Sequence, residues 1–136
     1  MKISIITAVY NRNKTIKRAI LSVKEQMYKN IELIIVDGGS NDGTVDAIKS
    51  LLDGNDTFIS ESDNGIYDAL NKGITLASGE VIAFLHSDDL YFDNNVISEV
   101  VDAFSDDTVD VVYGDVCYFS ARNVMKIIRR YRSDKL

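Results

Sequence analysis

Four short polar clusters in this chain have compositions that suit a charged, hydroxyl-rich ligand. They are Thr7-Ala8-Val9-Tyr10-Asn11-Arg12, Asp37-Gly38-Gly39-Ser40-Asn41-Asp42-Gly43, Glu61-Ser62-Asp63-Asn64-Gly65 and His86-Ser87-Asp88-Asp89. The adjacent carboxylates of the last cluster carry the clearest chemistry. Asp88 and Asp89 follow the apolar run Val81-Ile82-Ala83-Phe84-Leu85 and repel each other unless a cation or a helix N-terminus compensates. Hard divalent ions such as Mg2+ and Mn2+ take one or two carboxylates and complete their shell with phosphate oxygens and water, so the pair suits a metal-bound diphosphate. An acidic turn opening the next helix accounts for the same two residues equally well. The Asp37-Gly-Gly-Ser turn has two readings. Asp37 accepts a hydrogen bond from a base or ribose while the glycines admit a flat ligand, or the segment is a tight turn with Ser40 or Asp42 capping the next helix. It is not GxGxxG, so the dinucleotide fingerprint is absent. Asp63-Asn64-Gly65 reads as a ligand loop or as a turn with an N-cap, and Asp68 and Lys72 as an i,i+4 pair on a helix face. His86 is a metal ligand or a hydrogen-bonded strand-end residue.

Alternating strands and helices must position these clusters. Residues 2–8 form a continuous β-branched and apolar run, as in a strand buried on both faces. Ile16, Ala19, Ile20, Val23 and Met27 follow at helical spacing with Asn13 as N-cap. A second buried strand covers 31–36. Val45, Ile48 and Leu52 mark a helix stopped near Gly54, and 57–60 a short strand. Ile66, Leu70, Gly73, Ile74 and Ala77 mark a third helix, closed by Gly79 at C′. A strand over 80–85 and a helix facing inward through Ile97, Val100, Val101 and Phe104 come next. Strands are then expected at 109–113, 117–119 and 124–130, the last two paired across 120–123. The pattern predicts an α/β fold with a mainly parallel sheet flanked by helices and a late antiparallel β pair. Such sheets bind ligands beyond the C-terminal ends of their strands, which is where the four clusters fall.

Composition narrows the class. The chain has 136 residues, 46% hydrophobic and 26% charged, which suits one globular domain. A lone Cys117 excludes an intramolecular disulfide framework and a Cys-rich zinc site. No apolar run reaches the roughly 18–20 residues needed to cross a bilayer, and no signal peptide is evident. A cytoplasmic protein is expected. The net charge of −6 is uneven: seven Lys/Arg and two Asp/Glu lie in 1–36, two and eighteen in 37–121, six and one in 122–136. The acidic middle argues against a nucleic-acid partner. The basic end (Arg122, Lys126, Arg129, Arg130, Arg132, Lys135) is either a solvated strand face or a peripheral contact with anionic lipid at the inner face of the membrane. A phospho-acceptor receiver or aspartyl phosphatase would need acidic residues at the end of the first strand, and Thr7-Ala8-Val9-Tyr10 has none.

The ordered set resembles a known family. The segments Ser4-Ile5-Ile6-Thr7-Ala8-Val9-Tyr10-Asn11-Arg12, Ile35-Val36-Asp37-Gly38-Gly39-Ser40-Asn41-Asp42-Gly43-Thr44, Ser62-Asp63-Asn64-Gly65-Ile66-Tyr67-Asp68-Ala69-Leu70-Asn71-Lys72-Gly73 and Gly79-Glu80-Val81-Ile82-Ala83-Phe84-Leu85-His86-Ser87-Asp88-Asp89 look like a family 2 glycosyltransferase with the GT-A (Rossmann-like) fold. The third segment is similar to the branch that builds bacterial surface polysaccharides. The resemblance implies a nucleotide-sugar donor, most often a UDP-sugar, with Mn2+ or Mg2+ as cofactor. It also implies a saccharide or lipid-linked saccharide acceptor and transfer with inversion at the anomeric carbon. Thr7, Val9, Tyr10, Asn11, Asp37, Asp63, Lys72 and Asp88 would then contact the nucleotide, with Asp37 facing the base and Tyr10 supplying an aromatic surface. Gly65, Tyr67 and Asp68 would border the donor sugar, and Asp89 with Asp88 would hold the metal. Two positions depart from the family pattern: His86 stands where Asp or Asn is frequent, and Ala8 where many relatives have Pro.

The resemblance also implies a general base from the second half of the domain, and this chain is expected to stop before it. Residues 1–136 therefore read as the nucleotide-sugar-binding domain, truncated ahead of the acceptor-binding half, and no base is assigned. The alternative is a module that holds a nucleotide sugar without transferring it, or an inactive fragment. An uncovered β-rich end also favours self-association into a homo-oligomer.

Overall fold

In the computed structural model the elements run β1 (Ile3–Val9), α1 (Ile16–Lys24), β2 (Ile31–Asp37), α2 (Thr44–Lys49), β3 (Thr57–Ser60), α3 (Ile66–Leu76), β4 (Val81–Phe84), α4 (Val96–Ala103), β5 (Val116–Ser120) and β6 (Asn123–Tyr131). Residues 1–133 are described, so Lys135 of the basic end lies outside them. The chain divides into two units, Met1–Glu99 and the residues from Val100 onward.

The first unit is built around a four-stranded sheet in the order β3-β2-β1-β4. All of its pairings are parallel, with Ile3 opposite both Ile31 and Val81, and Ile34 opposite Thr57. Central β1 is buried along its whole length, as its unbroken apolar run requires. The chain steps from β1 to β2 to β3 in one direction, then returns across both to place β4 beyond β1. With right-handed crossovers, that reversal puts α1 and α2 on one face of the sheet and α3 on the other. Packing agrees: Ile6 and Ala8 of β1 and Ile34 and Val36 of β2 cluster with Ala69, Leu70 and Ala77. The fully buried Ile16 and Ile20 of α1 and Ile48 of α2 supply apolar cover for the opposite face. α3 lies so close to β1 that a Cβ on Gly73 would collide with Ile6 Cγ2.

Buried Gln26 joins the end of α1 to the segment leading into α4. Its amide nitrogen donates to the carbonyls of Ser22 (3.1 Å) and Asp93 (2.7 Å), and its oxygen accepts from the Ile97 N–H (3.0 Å). A polar side chain is affordable there because every hydrogen-bonding group of it is used.

Several local expectations change. The N-cap of α1 is Thr15 rather than Asn13, because the carbonyl of Arg12 already accepts from the Thr15 and Ile16 N–H groups. α3 ends at Leu76 with Ala77 extended, so Gly79 is not a left-handed C′ residue. Glycine is required at 79 by close approach instead, since a Cβ there would stand 2.5 Å from Ser4 Oγ and 2.7 Å from the Lys2 carbonyl. Residues 109–113 form no strand. Val111 and Tyr113 are 74% and 65% exposed, and no described strand pairs with them.

The second unit contains the expected antiparallel pair. β5 and β6 match Val116 with Tyr131 and Cys117 with Arg130, with irregular register near the turn. Tyr118 and Tyr131 meet edge to face at 5.8 Å, and the Arg129 guanidinium lies 4.6 Å from the Tyr131 ring centre. Among the described residues no helix is long and apolar enough to cross a membrane.

Candidate functional site

The loops that follow the four strands all leave the same edge of the first unit's sheet, a consequence of its parallel pairing. Residues from three of them, after β1, β3 and β4, together with α3, line a cleft of about 210 Å³: Ala8, Val9, Tyr10, Arg12, Asp63, Ile66, Ala69, His86, Ser87 and Asp88. It lies where the strand order reverses between β1 and β4, the usual binding place in open parallel sheets. Of the residues expected at the site, Val9, Tyr10, Asp63 and Asp88 line it. Tyr10 is 57% exposed, leaving a ring face open to stack on a planar ligand.

Asn11 and Asp37 do not line the cleft but build the loops beside it. Asn11 adopts φ +51°, a conformation that Asn tolerates better than most residues. Its backbone N–H donates to Ser40 Oγ (2.8 Å), and its side-chain oxygen accepts from the Asn41 N–H (3.0 Å). Those two bonds tie the loop after β1 to the loop after β2. Asp37 is fully buried. Its Oδ2 accepts from the N–H groups of Gly39 (3.2 Å) and Ser40 (3.0 Å) and from Ser60 Oγ (2.7 Å), and its Oδ1 from Ser40 Oγ. Thr7 is likewise buried within β1.

Asp68 and Lys72 stand outside the cleft lining and form the i,i+4 pair, at 3.3 Å. Lys72 also meets Glu61 at 2.8 Å, and these two carboxylates, Glu61 foremost, raise its pKa. The Asn64 N–H, followed by Lys72, holds Asp68 below the usual carboxylate range. The Lys72 charge is therefore balanced within its own neighbourhood. Gly65 is the N-cap of α3 at φ +106°, and the Tyr67 side chain next to it is highly exposed.

One charged lining residue is given no role by the sequence. Arg12 donates from Nη1 to the Asn11 carbonyl at 3.3 Å and has no carboxylate partner among the described residues. In a cleft lined by Asp63 and Asp88, it is the permanent cation. Its position directly after the first polar cluster was a visible signal. The family resemblance implies Lys72 instead; its i,i+4 partner Asp68 is visible in the sequence, but the approach of Glu61 is not.

At the β4 end, the Asp89 N–H donates to the His86 carbonyl (3.0 Å), folding the two carboxylates into one turn. Partial burial, and then the neighbouring Asp88, raise the Asp89 pKa, with His86 acting weakly against them. Neither carboxylate forms an ion pair among the described residues, nor do three or more His, Cys, Asp or Glu side chains converge there as a ligand set. Two mutually repelling carboxylates with no ion-pair partner among the described residues fit a hard divalent ion that draws its other ligands from phosphate and water. They do not fit an all-protein metal cage.

Comparison with known proteins places this geometry. The model of the family described as Glycosyl transferase family 2 matches residues 4–131. An uncharacterized glycosyltransferase of Mycobacterium tuberculosis is 39% identical over 104 residues, covering 76% of this chain and 40% of the relative. A PGL/p-HBAD biosynthesis glycosyltransferase of Mycobacterium bovis is 33% identical over 117 residues, 83% of this chain and 46% of that one. The chain thus spans less than half the length of these relatives. Among solved structures, a mannosyltransferase of Pyrobaculum calidifontis in complex with GDP-Man and Mn2+ superposes with a TM-score of 0.73 at 25% identity, covering 91% of this chain and 37% of the other. S. aureus TarS in complex with UDP-GlcNAc gives 0.68 at 27% identity, covering 79% and 32%. The parallel sheet flanked by helices, with its late antiparallel pair, is the GT-A arrangement expected from the sequence. By sequence and by fold, this chain belongs to glycosyl transferase family 2.

Proposed function

We propose that the chain is the donor-binding part of an inverting, metal-dependent glycosyltransferase. Its donor would be a nucleoside-diphosphate sugar, a UDP-sugar first, and its acceptor a hydroxyl of a growing bacterial surface saccharide. The observation that carries this reading is the cleft itself, which combines an exposed aromatic ring (Tyr10), a cation (Arg12) and carboxylates at both ends (Asp63 and Asp88). GDP-Man with Mn2+ in one structural neighbour and UDP-GlcNAc in another support the ligand class.

In this reading the nucleoside lies on Tyr10 and the β1 loop, and its diphosphate extends toward Asp88 and Asp89. These two would hold Mn2+ or Mg2+, which supplies charge neutralisation and Lewis acidity to the departing diphosphate. Arg12 adds a fixed positive charge on the phosphate path, and Gly65, Tyr67 and Asp68 border the donor sugar. Inversion needs a base within hydrogen-bond reach of the acceptor hydroxyl. Asp115 is engaged in structural bonds within its own unit. Bonds from the Ser133 N–H (2.9 Å) and the Arg130 guanidinium (2.8 Å from Nε) hold its pKa at about 2. The base is therefore assigned to none of the described residues, and a binding module without transfer is the competing reading.

Titration of UDP and GDP with and without Mn2+ tests the proposal. Metal-dependent binding that Asp89→Ala abolishes is expected, and metal-independent binding or none would overturn it. Mn2+-dependent hydrolysis or transfer of a sugar by the 136-residue chain would decide for catalysis over binding alone.

A further inference from the structure

A second cavity, of about 290 Å³, opens at the other end of the first unit's sheet. Ile31 and Leu33, from the start of β2, form part of its wall together with Tyr28, which follows α1. At about 3.3 Å per residue along β2, roughly 20 Å separates Ile31 from Asp37, so this cavity is distinct from the donor cleft. The Tyr28 hydroxyl donates to the Met1 carbonyl, which fixes the ring in the wall.

The charges around this cavity cancel. Lys24, in the last turn of α1, meets Asp53 at 2.6 Å and Asp56 at 2.5 Å. Lys29 supplies a second cation. Its Nζ donates to the Gln26 carbonyl at 2.7 Å and has no carboxylate partner among the described residues. Two ammonium groups thus stand with two carboxylates in one lining. A phosphate would bring its charge against Asp53 and Asp56, and a metal ion against Lys24, so the lining suits an uncharged ligand.

What the cavity leaves over is hydrogen-bonding capacity. The Asp56 side chain is 3% exposed, and its Oδ2 accepts from Lys24 and from the Asp53 N–H (2.8 Å). Its Oδ1 has no donor among the described hydrogen bonds. No carboxylate oxygen among the described residues is both fully buried and without a partner, so Oδ1 still reaches solvent. Asn55 is exposed beside it, and its side-chain amide has no partner among the described hydrogen bonds.

We propose that this cavity binds one ring of a saccharide. A pyranose has the matching surface: a face of C–H groups for Tyr28, Ile31 and Leu33, and a rim of hydroxyls that donate and accept at once. The hydroxyls donate to Asp56 Oδ1 and accept from Lys29 Nζ and the Asn55 amide. The site goes beyond donor binding, and only its use rests on the function proposed above: a growing saccharide held at the far end of the sheet stays with the protein between additions.

The test is an NMR titration of the isotope-labelled chain with the methyl glycosides of glucose, galactose, mannose and N-acetylglucosamine. At least one should bind with a Kd of about 1 mM, an ordinary value for a single ring. Amide shifts are expected at Leu33, Asn55 and Asp56 and not at Tyr10 or Asp88. Asn55→Trp blocks the cavity from an exposed position and should abolish binding. Lys29→Ala should weaken it about tenfold and decides the matter if circular dichroism shows Asn55→Trp unfolded. Both variants should bind UDP with Mn2+ as the unmutated chain does, which separates a lost saccharide contact from a lost fold. Binding by none of the four glycosides, shifts at the donor cleft instead, or undiminished binding by a folded variant overturns the inference while the donor-binding reading stands. Failure of UDP to bind the unmutated chain overturns the donor reading and leaves the saccharide site to be judged by the glycoside shifts alone.

Discussion

Glu32 offers a quantitative test of how the site is held in place. It sits near the start of β2, remote from the cleft, and its side chain is 13% exposed. Oε1 accepts from Ser4 Oγ (2.5 Å) and from the N–H groups of Ser78 (2.6 Å) and Gly79 (3.2 Å). Oε2 meets Lys2 Nζ at 2.5 Å and Ser78 Oγ at 2.8 Å. One carboxylate thereby clamps the turn between α3 and β4 onto the first strand, and so holds β4 in register for Asp88 and Asp89 at its far end. Burial by itself would raise the Glu32 pKa. The bonds from Lys2, Ser4 and Ser78 outweigh that and lower it from 4.5 to about 2. A shift of this size corresponds to about 3 kcal/mol, which residual solvent contact reduces to about 2 kcal/mol. Because the folded-state pKa is depressed, this stability is present above the unfolded value of 4.5 and is lost as pH falls toward about 2. Urea denaturation of Glu32→Gln and the unmutated chain should therefore differ by about 2 kcal/mol at roughly pH 7, and by less than half of that near pH 3. A gap that stays constant with pH, or one below about 0.5 kcal/mol at neutrality, would refute the clamp.

Two further outcomes are expected. Gly73→Ala drives a methyl group into Ile6 Cγ2. It should destabilise the chain by about 1–2 kcal/mol in the same assay despite the better helix propensity of alanine, and a stabilised variant would show that α3 can lift from the sheet. Arg12→Gln should weaken UDP binding about tenfold, an ordinary value for one charge-assisted contact, and leave uridine binding unchanged. Equal losses for UDP and uridine would place Arg12 away from the phosphates.

The alternation of buried strands and amphipathic helices was legible along the chain because each pattern is local. A run such as Ile3-Ser4-Ile5-Ile6-Thr7-Ala8-Val9 has too few polar positions for an exposed strand, and α1 and α3 display their apolar faces at helical spacing. The four ordered motifs likewise pointed to the family, since each carries its residue types in local order. The strand expected at 109–113 failed because β propensity cannot create a pairing partner. The C′ role given to Gly79 failed because a glycine's reason, whether positive φ or close approach, depends on what lies opposite it.

From the sequence alone came the elements, their order and the polar clusters at the ends of the parallel strands, all set by periodicity and side-chain chemistry. Tertiary structure decided how the carboxylates divide their work. Asp37, Asp63 and Asp68 look alike along the chain. In space, Asp37 is buried beneath four donors, Asp68 is matched to Lys72, and Asp63 lines the cleft beside Gly38. The roles separate because folding brings partners distant in the chain within about 3 Å, as it does Ser60, 23 residues from Asp37.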